Sequence, residues 1–125
     1  GKTLKAQGYA FLRIDDQTIK YFKANVTLTV QATLPNGTVK KFDIIGGTVI
    51  INGASYTITS GNGAVLTGRH IILLQASGVS QDGQSVTLKL EGRYFWLWGH
   101  LYAARIAARL QTNNGNYTLL MRAFV

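Results

Sequence analysis

The sequence predicts an all-β fold: a single antiparallel meander of about eight strands, closed as a β-barrel or folded as a β-sandwich. Three observations predict it. Apolar and polar residues alternate with period two along most of the chain, which is the repeat of a half-buried strand. Short Gly/Asn/Asp clusters suited to tight turns separate the alternating segments. Only 14% of the 125 residues are charged and 46% are hydrophobic, enough for one core in a single β domain over residues 1–125.

The first segment places Leu4, Ala6, Gly8, Ala10, Leu12 and Ile14 on one face and Lys5, Gln7, Tyr9, Phe11 and Arg13 on the other, before a turn at Asp15-Asp16. The second turns Val26, Leu28, Val30 and Ala32 inward and Asn25, Thr27, Thr29 and Gln31 outward, with Leu34-Pro35-Asn36-Gly37 closing a hairpin. Thr38 to Ile45 is a third strand. Gly46-Gly47 marks a bulge or bend before residues 48–51. Asn52-Gly53 is the strongest hairpin signal, because both residues tolerate the positive φ of a type I′ turn.

Ser60-Gly61-Asn62-Gly63 reads as the end of the following strand, with turn glycines. A strand from Val65 to Gln75 and a turn at Ser80-Gln81-Asp82-Gly83 come next. Val86, Leu88 and Leu90 then alternate with Thr87, Lys89, Glu91 and Arg93, and Tyr102, Ala104, Ile106, Ala108 and Leu110 alternate with Ala103, Arg105, Ala107 and Arg109. Helix competes over Ala103 to Leu110, an Ala-rich stretch of high helix propensity. Strand is favoured because the stretch is short, uncapped and followed by the Asn113-to-Asn116 turn, which leads into a last strand from Tyr117.

The formal net charge is +8, a field that attracts polyanions and also serves solubility. The chain has no cysteine, which excludes disulfides, thiolate catalysis and Cys-ligated metals. No apolar run approaches the roughly 18 residues of a membrane-spanning helix, so no transmembrane segment is expected. Sequons at Asn25, Asn36 and Asn116 are acceptable N-glycosylation sites in an exported chain. With a chain that begins at Gly1, they point to an exported protein from which a leader has been removed.

Candidate chemistry is sparse. His70 and His100 are the only histidines, and Asp15, Asp16 and Asp82 fall at turns, which leaves Asp43 and Glu91 for acid–base work. There is no nucleophile elbow, phosphate loop or metal-ligand spacing, so neither an enzyme nor a cofactor is expected. The aromatic run Tyr94, Phe95, Trp96, Leu97, Trp98 with Tyr102 is the most distinctive stretch. It is a doubly buried strand, a turn plugging one barrel end, or an exposed aromatic patch of Tyr94, Trp96, Trp98 and Tyr102. Lys89, Arg93, Arg105, Arg109 and Arg122 form an outward basic stripe, in which turns centred near Trp98 and Gly115 bring Glu91 beside Arg105 and Arg105 beside Arg122.

In its Thr-rich strands with sequons, its Asn52-Gly53 hairpin and its Arg93-to-Tyr102 aromatic segment, the whole chain resembles small exported archaeal β-proteins. That resemblance implies an extracellular or cell-surface location and carries over no site residue.

Two functions follow as expectations. The first is a non-enzymatic extracellular structural subunit that polymerises with itself into a filament or coat. Residues 1–14 are then a donor strand, whose small residues Ala6, Gly8 and Ala10 fit a tight groove in the next subunit. The second is a basic β-barrel binding module for a polyanion, glycan or small ligand, with aromatic rings for stacking and arginines for charge.

Overall fold

The computed structural model of the chain describes residues 2–33, 39–97 and 100–124, and the side chains among them except 96–97, 100–104 and 124. Eight strands follow one another: β1 (Lys2–Arg13), β2 (Ile19–Ala32), β3 (Val39–Ile51), β4 (Ala54–Leu66), β5 (Ile71–Ser80), β6 (Ser85–Leu97), β7 (His100–Thr112) and β8 (Gly115–Phe124). Each pairs antiparallel with its sequence neighbour, and β8 pairs back onto β1. The meander therefore closes as a barrel, and a two-sheet sandwich does not form. With eight strands the lumen is just wide enough for inward side chains to fill it.

Alternation decides what fills the lumen. Leu4, Ala6 and Ala10 of β1, Ala24, Val26 and Leu28 of β2, Val86, Leu88 and Leu90 of β6, and Leu119, Met121 and Ala123 of β8 are all buried, as the period-two pattern requires. Among the described residues no polar or charged side chain is buried. The outward positions are mixed: Lys, Arg, Gln, Thr and Asn stand among exposed Tyr9, Tyr21, Ile45, Ile50, Leu73, Val79 and Leu120.

The two ends differ. One end carries the β1–β2, β3–β4, β5–β6 and β7–β8 turns. There Asp15 accepts a hydrogen bond from the Gln17 amide at 2.8 Å, and that bond holds its carboxyl below the usual range. Asn52 and Gly53 adopt φ of 51° and 82°, as a type I′ turn demands. Across this mouth Tyr56 and Tyr117 share a hydrogen bond, and burial pushes the Tyr56 phenol up. Asn113 donates to Gln84 and so ties two turns together. At the other end Tyr94 fills the mouth, 4% exposed, and its phenol is likewise raised by burial. The His70 ring stacks on it at 5.5 Å and 16°.

Several expectations change. The bulge near Gly46-Gly47 is present, but β3 runs through it as one strand, with Ile45 as the extra residue between Ile44↔Val30 and Gly46↔Thr29. Gly61 and Gly63 are not turn glycines: β4 continues to Leu66, and a methyl at Gly61 would lie 2.4 Å from the Gln75 carbonyl of β5. They sit in the strand because neighbouring backbone presses against them. The expected strand from Val65 to Gln75 is interrupted by a turn at residues 67–70, where His70 takes a φ of 57°. Ile14 lies past the end of β1 and is exposed, and Ala32 is exposed at the rim. Ala103 to Leu110 is strand, since pairing with β6 and β8 on both sides outweighs local helix propensity. The Leu34-to-Gly37 hairpin lies outside the described residues.

Candidate functional site

The outer wall over β5 to β8, β1 and β2 is organised in rows of cross-strand neighbours. One row runs Ile71, Arg93, Arg105, Arg122, Gln7. Arg93 pairs directly with Arg105, and Arg122 stands opposite the β7 bulge that falls between Ala103 and Ile106. All three arginines are exposed. The parallel row toward the turn-rich end runs Leu73, Glu91, Ala107, Leu120, Tyr9, Lys23. A third row runs Gln75, Lys89, Arg109, Thr118, Phe11, Tyr21.

The basic stripe expected from the sequence is therefore real in its composition and altered in its pairing. Glu91 faces Ala107 and Leu73, not Arg105. The Leu97↔His100 pair is one residue off the register of a turn centred on Trp98, and the bulge on β7 adds one residue more, so the register slips by two from that expectation. The slip puts like charge opposite like charge at Arg93 and Arg105. It leaves Glu91 as a single carboxylate among Lys89 and Arg93 on its own strand and Arg105 and Arg109 diagonally across.

The aromatic patch is redistributed too. Tyr94 points into the lumen and presents no outward ring. Trp96 and Tyr102 belong to β6 and β7, and Trp98 lies outside the described residues. Among the described side chains Phe95 of this run is 39% exposed, and the rings most exposed lie on β1 and β2: Tyr9 at 48% and Tyr21 at 68%. Tyr21 contacts Tyr9 edge-on, with centroids 6.3 Å apart, and Phe11 at the same separation. The sequence signal for these rings was the outward parity of Tyr9 and Phe11 in the first segment.

The row positions leave a shallow trough of about 830 Å³ on the outer wall. At its centre the outward position on β7 is Ala107, which carries only a methyl, while Arg93, Arg105, Arg122, Glu91, Leu120 and Tyr9 stand around it. The basic charge is polarised along the barrel as well. Lys2, Lys40, Lys41 and Arg69 join the arginine row in the half holding the His70 turn, whereas Asp15, Asp16 and Asp82 sit at the opposite end.

Of the proposed donor strand, Leu4, Ala6, Gly8, Ala10 and Leu12 belong to β1, a stave of this chain's own barrel paired with β2 on one side and β8 on the other, and Ile14 lies past its end. Ala6 and Ala10 are buried in the core, and at Gly8 β8 passes so close that a methyl would lie 2.0 Å from the Leu120 carbonyl. Asn25 and Asn116 are exposed, and Asn36 lies outside the described residues. Among the described residues no group of three His, Cys, Asp or Glu gathers to hold a metal.

No protein-family model matches the chain, and no curated protein does. Among solved structures, the chain is similar to the crystal structure of a conserved protein of unknown function from Rhodopseudomonas palustris, with a TM-score of 0.54 at 13% identity. The match covers 100% of this chain and 99% of that one, and it shows a shared fold.

Proposed function

We propose that the protein is a non-enzymatic binding module that captures a polyanion on the outer wall of its barrel. The observation that carries this reading is the row Arg93, Arg105, Arg122 on three consecutive strands. Like charges facing each other across a sheet cost stability. Anionic groups laid along the row relieve that repulsion, and the planar guanidinium fork suits phosphate, sulfate or carboxylate. With neighbouring strands about 4.8 Å apart, Arg93 and Arg122 are about 10 Å from each other, so the row addresses a ligand bearing several charges. The lumen is filled with side chains, which leaves the wall as the place for a ligand. The exposed positions of Asn25 and Asn116 support an extracellular setting.

The test is an anisotropy titration of labelled heparin and of a labelled polynucleotide at several potassium chloride concentrations. Replacing Arg93, Arg105 and Arg122 together by Gln is expected to reduce the slope of log K against log salt by about 2, at ~0.7 per neutralised charge. An unchanged slope in the triple variant sinks the reading.

A second reading, an extracellular structural subunit, is supported by the outward strip of Tyr9, Phe11, Tyr21 and Ile19, which copies packed wall to wall could cover. Assembly by strand addition needs β1 to leave both β2 and β8 and be replaced by the β1 of another copy. Sedimentation of the full chain across a concentration series separates these readings, since a monomer at every concentration leaves only the binding module.

A further inference from the structure

The two rows bordering the trough differ in kind. Arg93, Arg105 and Arg122 line one edge. Two residues further along each strand, about 7 Å away, the next row offers Glu91, Ala107, Leu120 and Tyr9. Three cations therefore stand along one edge of the trough, while flat or apolar groups and one carboxylate stand along the other. Leu120 is 52% exposed, and the Tyr9 ring is steadied by its edge contact with Tyr21 at 74°.

We infer that the polyanion, on the reading just given, is a single-stranded nucleic acid whose phosphates follow the arginine row and whose unpaired bases lie against Leu120 and Tyr9. The division of charge decides it. A single strand has anionic groups along one side and uncharged planar bases along the other, the arrangement the two rows complement. An acidic glycan with a charge on each repeat sets part of that charge against Glu91 and the apolar row. A duplex hides its base faces in stacking and meets the arginine row only. Aromatic stacking beside cations is how single strands are held without sequence preference, since every base has a π face. Ala107, with only a methyl, leaves the middle of the second row low beside the arginines.

The experiment titrates the full chain into three labelled probes, an oligothymidylate, a duplex of equal length and a heparin fragment, at one moderate salt concentration. Tyr9→Ala is expected to weaken the oligothymidylate roughly 5- to 140-fold, the loss of one stacked base. The duplex and heparin should change by less than about twofold, as for an ordinary surface substitution. Tyr9→Phe, which keeps the ring, should bind like the parent, and the half-exposed position makes folding failure of either variant checkable by its melting curve. An equal loss for oligothymidylate and heparin, or no loss for either, overturns the stacked-base assignment and leaves polyanion binding standing. If none of the three probes binds the parent protein, both conclusions fall.

Discussion

Replacing Gly8 by Ala tests how the barrel is closed. A methyl built on Gly8 points at the backbone of β8, 2.0 Å from the Leu120 carbonyl oxygen and 2.7 Å from the Met121 Cα. Reaching the 3.4 Å of ordinary contact requires β8 to retreat by about 1.4 Å in a closely packed wall. The obstacle is main chain, so no rotamer change relieves it, and the pair Gly8↔Met121 belongs to the seam where the last strand meets the first. Overpacking costs roughly 1–3 kcal/mol where neighbours can adjust. With about 1 kcal/mol for a disturbed ladder hydrogen bond, the expected loss is about 3 kcal/mol. At ~2.1 cal/mol/K of unfolding entropy per residue, a chain of this length then melts about 11 °C lower. Gly68→Ala is the control, because a methyl there meets no heavy atom within 4 Å and its expected effect is between zero and a gain of about 1 kcal/mol. Thermal melts by circular dichroism and urea titrations read both. If Gly8→Ala melts with the parent, or no lower than Gly68→Ala, the seam is not the tight closure described above.

Two further outcomes are expected. Burial raises the Tyr94 and Tyr56 phenols above their ordinary value of 10.0, so the native barrel keeps their protons at a pH where the unfolded chain releases them. Stability is then intact below pH 10 and falls as the pH rises from there through the native values; urea midpoints measured from about pH 9 to about pH 11 should fall less steeply in Tyr94→Phe and Tyr56→Phe, and equal slopes in parent and variants contradict the assignment. Deleting residues 1–14 leaves β2 and β8 with unpaired edges and removes Leu4, Ala6 and Ala10 from the core. The truncated chain should lose cooperative unfolding in near-ultraviolet dichroism, and recovery on adding a peptide of residues 1–14 would show that β1 can be supplied in trans; a truncated chain that melts like the parent refutes the role given to β1.

The candidate site was half legible. Lys89, Arg93, Arg105, Arg109 and Arg122 could be placed on the outside from parity alone, because in a strand each residue's face follows from its neighbours'. Their partners could not. One residue of turn placement and one of bulge moved Glu91 from Arg105 to Ala107, and neither leaves a clear mark in the local pattern. The stacking surface was sought at Tyr94 to Tyr102, where aromatics are dense in the sequence. Tyr94 fills the mouth under His70, and the most exposed rings among the described side chains are those of Tyr9 and Tyr21, beside Leu120 from the far end of the chain.

What the sequence by itself determined was local: the strands, through the alternation seen in Val86, Leu88 and Leu90; the type I′ turn at Asn52-Gly53, through two residues that accept positive φ; and an apolar interior with a basic exterior. What only the tertiary structure decided was closure, register and the meaning of the glycines. Gly53 and Gly61 are alike in sequence, yet one permits a left-handed turn and the other yields to the backbone of a neighbouring strand. That difference depends on what lies across the sheet. The Arg93–Arg105–Arg122 row is set by the register of three consecutive strands, and Tyr9 comes beside it only because eight strands close into a barrel and carry β8 back against β1.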